Sequence, residues 1–156
     1  MEPVERIIMR DNVVVVTIDR LPNVAGTMAK VFRVLADEGI NVDMISSLLP
    51  ASSEIGVSFS TEGDELTRLM GVSRKVQSIF PGAAVHINSG NAKLVLGGYM
   101  AETAGVGARA FACLGAAEIE IRLITTSENE ISLVVNEGNA DAAAEALAKE
   151  FGCGQV

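Results

Sequence analysis

Two stretches of this 156-residue chain decide its fold, because the second is a repeat of the first. The first is VTIDRLPNVAGTMAKVFRVLADEGINVDMISS, from Val16 to Ser47, and the second is VLGGYMAETAGVGARAFACLGAAEIEIRLITT, from Val95 to Thr126. A shift of 79 positions, from 16 to 95, aligns the two without a gap. Such self-similarity predicts two copies of one supersecondary unit. The matched pairs are Val16/Val95, Ala25/Ala104, Gly26/Gly105, Ala29/Ala108, Phe32/Phe111, Leu35/Leu114, Ile40/Ile119 and Ile45/Ile124.

Each copy shows the same succession of hydrophobic patterns. It begins with an apolar, largely β-branched run, at residues 13–18 and again at 93–100, which is typical of a strand buried on both faces. Apolar residues then recur at helical spacing, and two stretches of apolar and polar alternation follow, which indicate a helix and two strands. The helical positions are Met28, Val31, Phe32 and Leu35, and then Gly107, Ala110, Phe111 and Leu114; the alternating stretches are 40–44, 55–60, 119–123 and 131–135.

An amphipathic helix closes each copy. The pattern predicts these helices over Asp64–Phe80 and Asn139–Phe151, with Asp64 and Asn139 as N-caps. The residues expected to face inward are Leu66, Leu69, Met70, Val76 and Ile79 in the first helix, and Ala143, Ala146, Leu147 and Phe151 in the second.

The two copies differ in how they supply a fourth strand. Ala83–Ile87 can follow the last helix of the first copy and gives the order βαββαβ, but Gly152–Val156 is too glycine-rich to do the same for the second. The apolar run Val4–Met9 is the unassigned candidate, so we expect it to complete the second copy. The sequence therefore predicts an α+β protein of two ferredoxin-like sandwiches, with the first inserted in the second. The expected boundaries are 11–88 for the first copy and 91–152 with strand 4–9 for the second.

The composition of the chain argues against several classes of function. Twenty acidic and 12 basic residues give a net charge of −8, whereas binding to nucleic acid requires clustered Lys and Arg. No apolar run approaches the roughly 18 residues of a membrane span, and the N-terminus has no signal-peptide pattern. Cys113 and Cys153 are too few for a disulfide framework or a metal site. We expect a cytoplasmic protein without a cofactor that binds neither nucleic acid nor membrane.

A turn and a strand of the first copy could together hold a small zwitterion. The backbone N–H groups of Ala25, Gly26 and Thr27 precede a helix and suit a carboxylate. Asp43 suits an ammonium group, with the amide of Asn41 on the same face because residues two apart in a strand point together. This strand is an edge in the predicted topology, so a neighbouring unit could pair with it and share the ligand. Solvation of an edge strand would produce the same polar pattern.

The sequence resembles the two tandem ACT units at the C-terminal end of aspartokinases. The resemblance is carried by LPNVAGTMAKVFRVLADEGINVDMIS (21–46), by YMAETAGVGARAFACLGAAEIEIRLITTSENEISLVV (99–135) and by the linking strand VERIIMRDNVVVVTI (4–18). It implies a non-catalytic allosteric module that binds a small amino acid, usually lysine or threonine, between ACT units of a homodimer. The kinase domain of the family is not found in this sequence. The chain thus resembles the short regulatory subunit of some aspartokinases, whose partner would be a catalytic subunit.

The resemblance also implies which residues contact the effector. Around the first turn, PNVAG at 22–26 replaces the usual Pro-Asp-x-Pro-Gly; Ser47-Leu48 replaces Gln-Asn, and Glu120 replaces Asn. From the residues alone, a solvated or cross-strand role for Glu120 and Arg122 is favoured over a ligand role. The implied residues are Asn23, Ala25, Gly26, Thr27, Asn41, Val42, Asp43 and Ser47 in the first unit, and Glu120 and Ile121 in the second.

Other functions remain open at this point. A structural partner could hold another subunit through its edge strands without any ligand. A small enzyme would have to rely on His86, the only histidine, or on Asp43. Gly105–Ala110 matches the dinucleotide fingerprint G-x-G-x-x-A, but the preceding loop is long for that motif and the first copy has Met28 in place of the second glycine.

Overall fold

A computed structural model describes residues 1–155, which form two compact units. The first unit is Val14–Ser89, and the second unit combines Met1–Val13 with the chain from Gly90 onward. The division falls inside two strands, β1 (Arg6–Pro22) and β4 (Ala84–Gly97). Each of these strands therefore contributes one part to each unit.

Four strands of the first unit lie in the order β2 (Ile45–Ser47), β3 (Glu54–Glu62), β1 and β4, with β2 at the edge. Alternation along β1 directs Val16 and Ile18 into a core that they share with Phe59, Leu35 and Leu69 from the strand β3 and the two helices. Each such side chain contributes about 1.5–3 kcal/mol on burial. The elements between β1 and β4 are α1 (Thr27–Asp37), β2 (Ile45–Ser47), β3 (Glu54–Glu62), a 3₁₀ turn (Gly63–Glu65) and α2 (Leu66–Ile79).

The second unit repeats this arrangement with the order β5 (Leu123–Thr126), β6 (Glu130–Asn136), β4 and β1. Its N-terminal strand is held by a 2.8 Å hydrogen bond from Glu5 N to Gly97 O, and Val4 and Ile7 are buried in the same core as Leu94. The predicted fold class, two ferredoxin-like α+β sandwiches with the first inserted in the second, is confirmed. The further elements are α3 (Val106–Ala116), β5 (Leu123–Thr126), β6 (Glu130–Asn136), a 3₁₀ turn (Glu137–Asn139), α4 (Ala140–Phe151) and β7 (Gly154–Gln155).

Strand β7 was not expected from the sequence. Its two residues pair in parallel with the start of β1, Gly154 with Arg6 and Gln155 with Ile7. Gly154 and Gln155 thus add a short bridge to β1 and do not form a core strand. Among the helices of residues 1–155, none has both the length and the apolar character that a membrane span would need.

Strands β1 and β4 are longer than predicted. The sequence patterns separate 4–9 from 13–18 and 83–87 from 93–100, whereas the structure joins each pair into one strand. Asn12 and Gly90 lie in the joining segments with φ values of 57° and 75°. Glycine and asparagine tolerate this left-handed conformation, so each strand can continue through a local irregularity.

The second strand of each unit starts later than predicted. The alternating residues 40–44 precede β2, and 119–123 reach only the first residue of β5. The backbone is nevertheless fixed there, because Asp43 N donates to Ser60 O at 3.0 Å. Met44 N donates to the hydroxyl of Ser60 rather than to a carbonyl, also at 3.0 Å. This side-chain acceptor interrupts the regular ladder, and alternation alone does not reveal it.

Helix α2 buries a narrower stripe than predicted. Leu69, Val72 and Val76 are buried, whereas Leu66, Met70 and Ile79 are 39%, 60% and 44% exposed. The three buried positions have helical spacing. The helix itself begins at Leu66, two residues later than predicted. The preceding 3₁₀ turn contains Asp64, so this residue is not the N-cap of α2; Asn139 does occupy the N-cap of α4 but makes no side-chain cap bond.

Candidate functional site

The turn before α1 is built around Gly26. This residue has φ of 90°, a left-handed conformation, and caps the helix without a side-chain hydrogen bond. The carbonyl of Pro22 holds the turn together by accepting from Val24 N at 3.0 Å and from the Thr27 hydroxyl at 2.8 Å. Thr27 is only 2% exposed, and its N–H donates to Val24 O at 3.3 Å. The side chain of Thr27 is therefore buried under the turn, which it stabilises, and does not face solvent.

Several backbone donors at this turn are unpaired. Within residues 1–155, the N–H groups of Ala25 and Gly26 find no acceptor, nor do those of Met28 and Ala29 in the first turn of α1. A Cβ placed on Gly26 would meet nothing within 4 Å, so the space in front of the turn is open. Unpaired donors at a helix N-terminus favour an anion. Met28 and Ala29 were missed by sequence reasoning, although their position in the first helical turn is the signal that identifies them.

Asn23 has a different role from its neighbours in the turn. Its N–H donates to Ser53 O at 2.8 Å, and its side-chain amide donates to Ser52 O at 3.2 Å. Both bonds fasten the turn to the connection between β2 and β3. The amide nitrogen of Asn23 is thereby used inside the unit.

The predicted acceptor group lies on the segment before β2. Asn41 and Asp43 are exposed, while Val42 is half-buried and packs on the core of the first unit. The backbone is held from β3, because the Thr61 hydroxyl donates to Asn41 O at 2.8 Å in addition to the bond of Asp43. The two polar side chains are thus presented to solvent from a fixed backbone. Ser47, at the end of β2, is also exposed.

Within one unit, the turn and the acidic segment lie far apart. The turn is hydrogen-bonded through Asn23 N to Ser53 O, just before β3, and Asp43 N is hydrogen-bonded to Ser60 O, near the end of β3. Seven residues of extended chain separate these two attachment points, or about 23 Å at 3.3 Å per residue. The unpaired donors and the carboxylate therefore lie towards opposite ends of β3.

The second unit repeats the turn but not the polar groups. Gly105 has φ of 90° and open space beside it, as Gly26 has. Glu120 is exposed and Ile121 is half-buried. Arg122, in the place of Asp43, donates from Nη1 to Asn91 Oδ1 at 2.8 Å, and Asn91 is fully buried. The cationic group is thus directed towards β4, which gives the two units different electrostatics at equivalent positions.

Exposed apolar residues extend from the edge strand into the following connection. Ile45 is 52% exposed, and Leu48 and Leu49 are 89% and 92% exposed. Sequence reasoning assigned no role to them, although two leucines before a proline at the end of an edge strand are unusual for a solvated loop. Such groups mark interaction surfaces more often than simple solvated loops.

Proteins of known structure share the fold described above. The chain is 27% identical to the regulatory subunit of aspartate kinase from Thermus thermophilus, with a TM-score of 0.87, covering 96% of this chain and 99% of that one. A structure of aspartokinase alpha and beta subunits matches at 26% identity and a TM-score of 0.85, covering 96% of this chain and 99% of the matched chain.

A longer curated relative matches only in part. The aspartokinase of Geobacillus stearothermophilus is 35% identical over 150 residues, which are 96% of this chain and 36% of the relative. The chain thus spans about a third of the length of that enzyme. The ACT domain family model matches residues 14–72 and 94–151, one match in each unit. The chain therefore belongs to the ACT domain family and carries two ACT domains in tandem.

Proposed function

We propose that the chain is a non-catalytic regulatory module whose effector is a small amino acid of the lysine or threonine type. The observation that carries this proposal is the separation of donors and acceptor along β3. The turn at Gly26 offers unpaired N–H groups for a carboxylate, and Asp43 offers a carboxylate for an ammonium group. A free amino acid is far shorter than the roughly 23 Å between the two attachment points, so one unit cannot serve both groups.

Antiparallel pairing of two edge strands solves this geometry. When two β2 strands meet in opposite directions, the turn of one unit approaches the acidic segment of the other. The outer groups of β2 are available for such pairing, because β2 is the last strand on its side. The homodimer is therefore part of the proposed site, and the effector would bind two units at once.

An aspartokinase catalytic subunit is the partner that we propose for this dimer. The similarity to a regulatory subunit of aspartate kinase, and to a structure of aspartokinase alpha and beta subunits, supports this partner. An effector would act by binding two arrangements of the assembly with different affinity, typically with about 1–3 kcal/mol of coupling.

Isothermal titration calorimetry tests the effector. The panel is lysine, threonine, methionine and the branched-chain amino acids, each at millimolar concentration. Helix-terminus and charge-assisted contacts contribute only a few kcal/mol each, so we expect one amino acid to bind with a Kd on the order of micromolar to millimolar. Absence of heat with the whole panel would contradict the proposal and favour the structural-partner alternative.

The Asp43→Asn variant tests the site. Loss of the charged acceptor should weaken binding at least about tenfold, since a charge-assisted hydrogen bond contributes about 1.5–3 kcal/mol. Asp37→Asn, at the exposed end of α1, is the matched control and should bind like the parent. Equal losses in both variants would point to a general charge effect instead of a contact at residue 43.

A further inference from the structure

An open groove lies on the helix-free face of the sheet in the first unit. In β3 and β4, Val57 and Val85 face the helices, so the alternate residues Gly56, Ala84 and His86 face the other side. These residues line a groove of about 640 Å³, and residues 48–52 between β2 and β3 form its opposite wall. Its size lies within the roughly 300–1,000 Å³ of small-molecule sites.

An irregularity in β1 supplies this groove with two charged side chains. Ile18 and Leu21 are fully buried, whereas Asp19 and Arg20 between them are both exposed. Arg20 has φ of 59°, which breaks the alternation and exposes two consecutive residues. A Cβ on Gly56 would lie 2.6 Å from Asp19 Oδ1, so the carboxylate occupies the space above the glycine. Left-handed backbone at a non-glycine residue recurs at functional sites.

The groove is not a requirement of the fold, as comparison of the two units shows. A shift of 79 positions places Gly98 and Tyr99 where the first unit has Asp19 and Arg20. The connection Leu48–Ser53 corresponds to only three polar residues, 127–129, in the second unit, where Ser127 N donates to Glu130 O at 2.8 Å. Core residues such as Val16 and Leu35 repeat between the units, whereas Asp19, Arg20 and the connection 48–53 do not.

We propose that this groove is a second binding site, for a small zwitterion with an apolar side chain. Leu48 and Leu49 would cover the apolar group, since both line the groove and are largely exposed to solvent. Asp19 and Glu54 would accept from the ammonium group, and Arg20 and His86 would donate to the carboxylate. These contacts are those of a free aliphatic amino acid. The groove lies on the face of the sheet, whereas the proposed dimer forms at the outer edge of β2, so this proposal does not rest on the proposed function.

Asn23 joins the groove to the turn at Gly26. Ser52 lines the groove, and its carbonyl accepts from the side-chain amide of Asn23. A ligand that moves the connection would therefore act on the turn through this bond. Occupancy of the groove would in this way influence any ligand bound at the turn.

The single histidine makes the site directly observable. Because His86 is the only one in the chain, its imidazole gives one set of ¹H–¹³C signals. At constant pH, L-leucine should shift these signals saturably, with a Kd in the millimolar range. Glycine lacks the apolar group, N-acetyl-L-leucine the ammonium and L-leucinamide the carboxylate, so each should bind at least about fivefold more weakly.

A pair of double variants tests the wall of the groove. Leu48→Ser/Leu49→Ser should abolish the His86 shift, while Leu66→Ser/Met70→Ser, which removes exposed apolar groups from α2, should leave it intact. No shift with about 20 mM L-leucine, or an unchanged shift in the first variant, would overturn the groove site. Shifts of the Gly26 and Asp43 amides without any at His86 would overturn it as well, while leaving the edge-strand site standing.

Discussion

The hydroxyl of Thr27 donates a 2.8 Å hydrogen bond to the carbonyl of Pro22 and closes the turn that carries Gly26. Thr27→Val keeps the shape of the side chain but removes the donor from a residue that is 2% exposed. We expect the free energy of unfolding to fall by about 1 kcal/mol in urea titrations. Thr67→Val, at an exposed position of α2, should change it by less than about 0.5 kcal/mol. Equal effects would show that the bond does not stabilise the turn.

Substitution by alanine should change the stability of the protein in opposite directions at Gly26 and at Gly71. Gly26→Ala forces a Cβ into a left-handed conformation, although nothing lies within 4 Å, and should cost about 1–2 kcal/mol. Gly71→Ala lies inside α2, also in open space, and should stabilise by about 0.5–1 kcal/mol. Thermal unfolding of both variants measures the difference. Stabilisation by both would mean that residue 26 is not held in the left-handed region.

The inward face of α2 can be tested at two positions. Val72→Ala removes two methyl groups from a residue that is 1% exposed, and should lower the free energy of unfolding by about 2 kcal/mol. Met70→Ala, 60% exposed, should change it by no more than about 0.5 kcal/mol. Chemical denaturation of the two variants should therefore show that residue 72, and not residue 70, belongs to the buried face of α2. The sequence prediction included Met70 and not Val72.

The edge strand β2 can be blocked without disturbing its pairing to β3. The backbone N–H and C=O of Met44 form hydrogen bonds with Ser60 of β3. Backbone groups alternate in direction along an antiparallel strand, so those of Ser46 also point towards β3, and the backbone N–H of Ser47 points away from the sheet. Ser47→Pro removes this outward donor and should convert the homodimer proposed above to monomer in sedimentation velocity, whereas Ser47→Ala should not. A dimer that persists in the proline variant would show that β2 does not form the dimer interface.

Both thiols should react slowly in the folded protein. Burial raises the pKa of Cys113, and the carboxylate of Glu150 raises it further. Burial likewise raises the pKa of Cys153, with a smaller contribution from Glu2. A raised pKa leaves less thiolate at pH 7, so iodoacetamide should label both slowly at pH 7 and faster as the pH passes their ordinary value of 9.0. Urea-unfolded protein should label faster at every pH below 9, and equal rates would contradict the shifts.

Sequence patterns were sufficient for the architecture of both units. Alternation through Val16 and Ile18 predicts a strand with one face towards helices, and the repeat predicts a second such unit. The absence of a closing strand after Phe151 predicts that Val4–Met9 fills this place, which Ile7 in the core confirms. These inferences succeed because burial imposes a period that the sequence must follow.

Local details and the site depended on contacts that periodicity does not encode. The hydroxyl of Ser60 delays the start of β2, and no pattern near Met44 reveals this bond. The residue types predict that the Gly26 turn and Asp43 contact one ligand shared with a neighbouring unit, but they carry no information about the end of the unit at which each lies. Only the register with β3 shows their separation.

Insertion of one unit into the other has a consequence for biosynthesis. The strand around Ile7 is made early, but its neighbour Gly97 emerges only after the whole first unit has been translated. Closing so long a loop costs entropy and slows folding. Once the first unit has folded, however, its own stretches of β1 and β4 are neighbouring strands, so the two connections to the remaining chain leave side by side. Folding of the first unit on the ribosome would thus shorten the loop that the second must close.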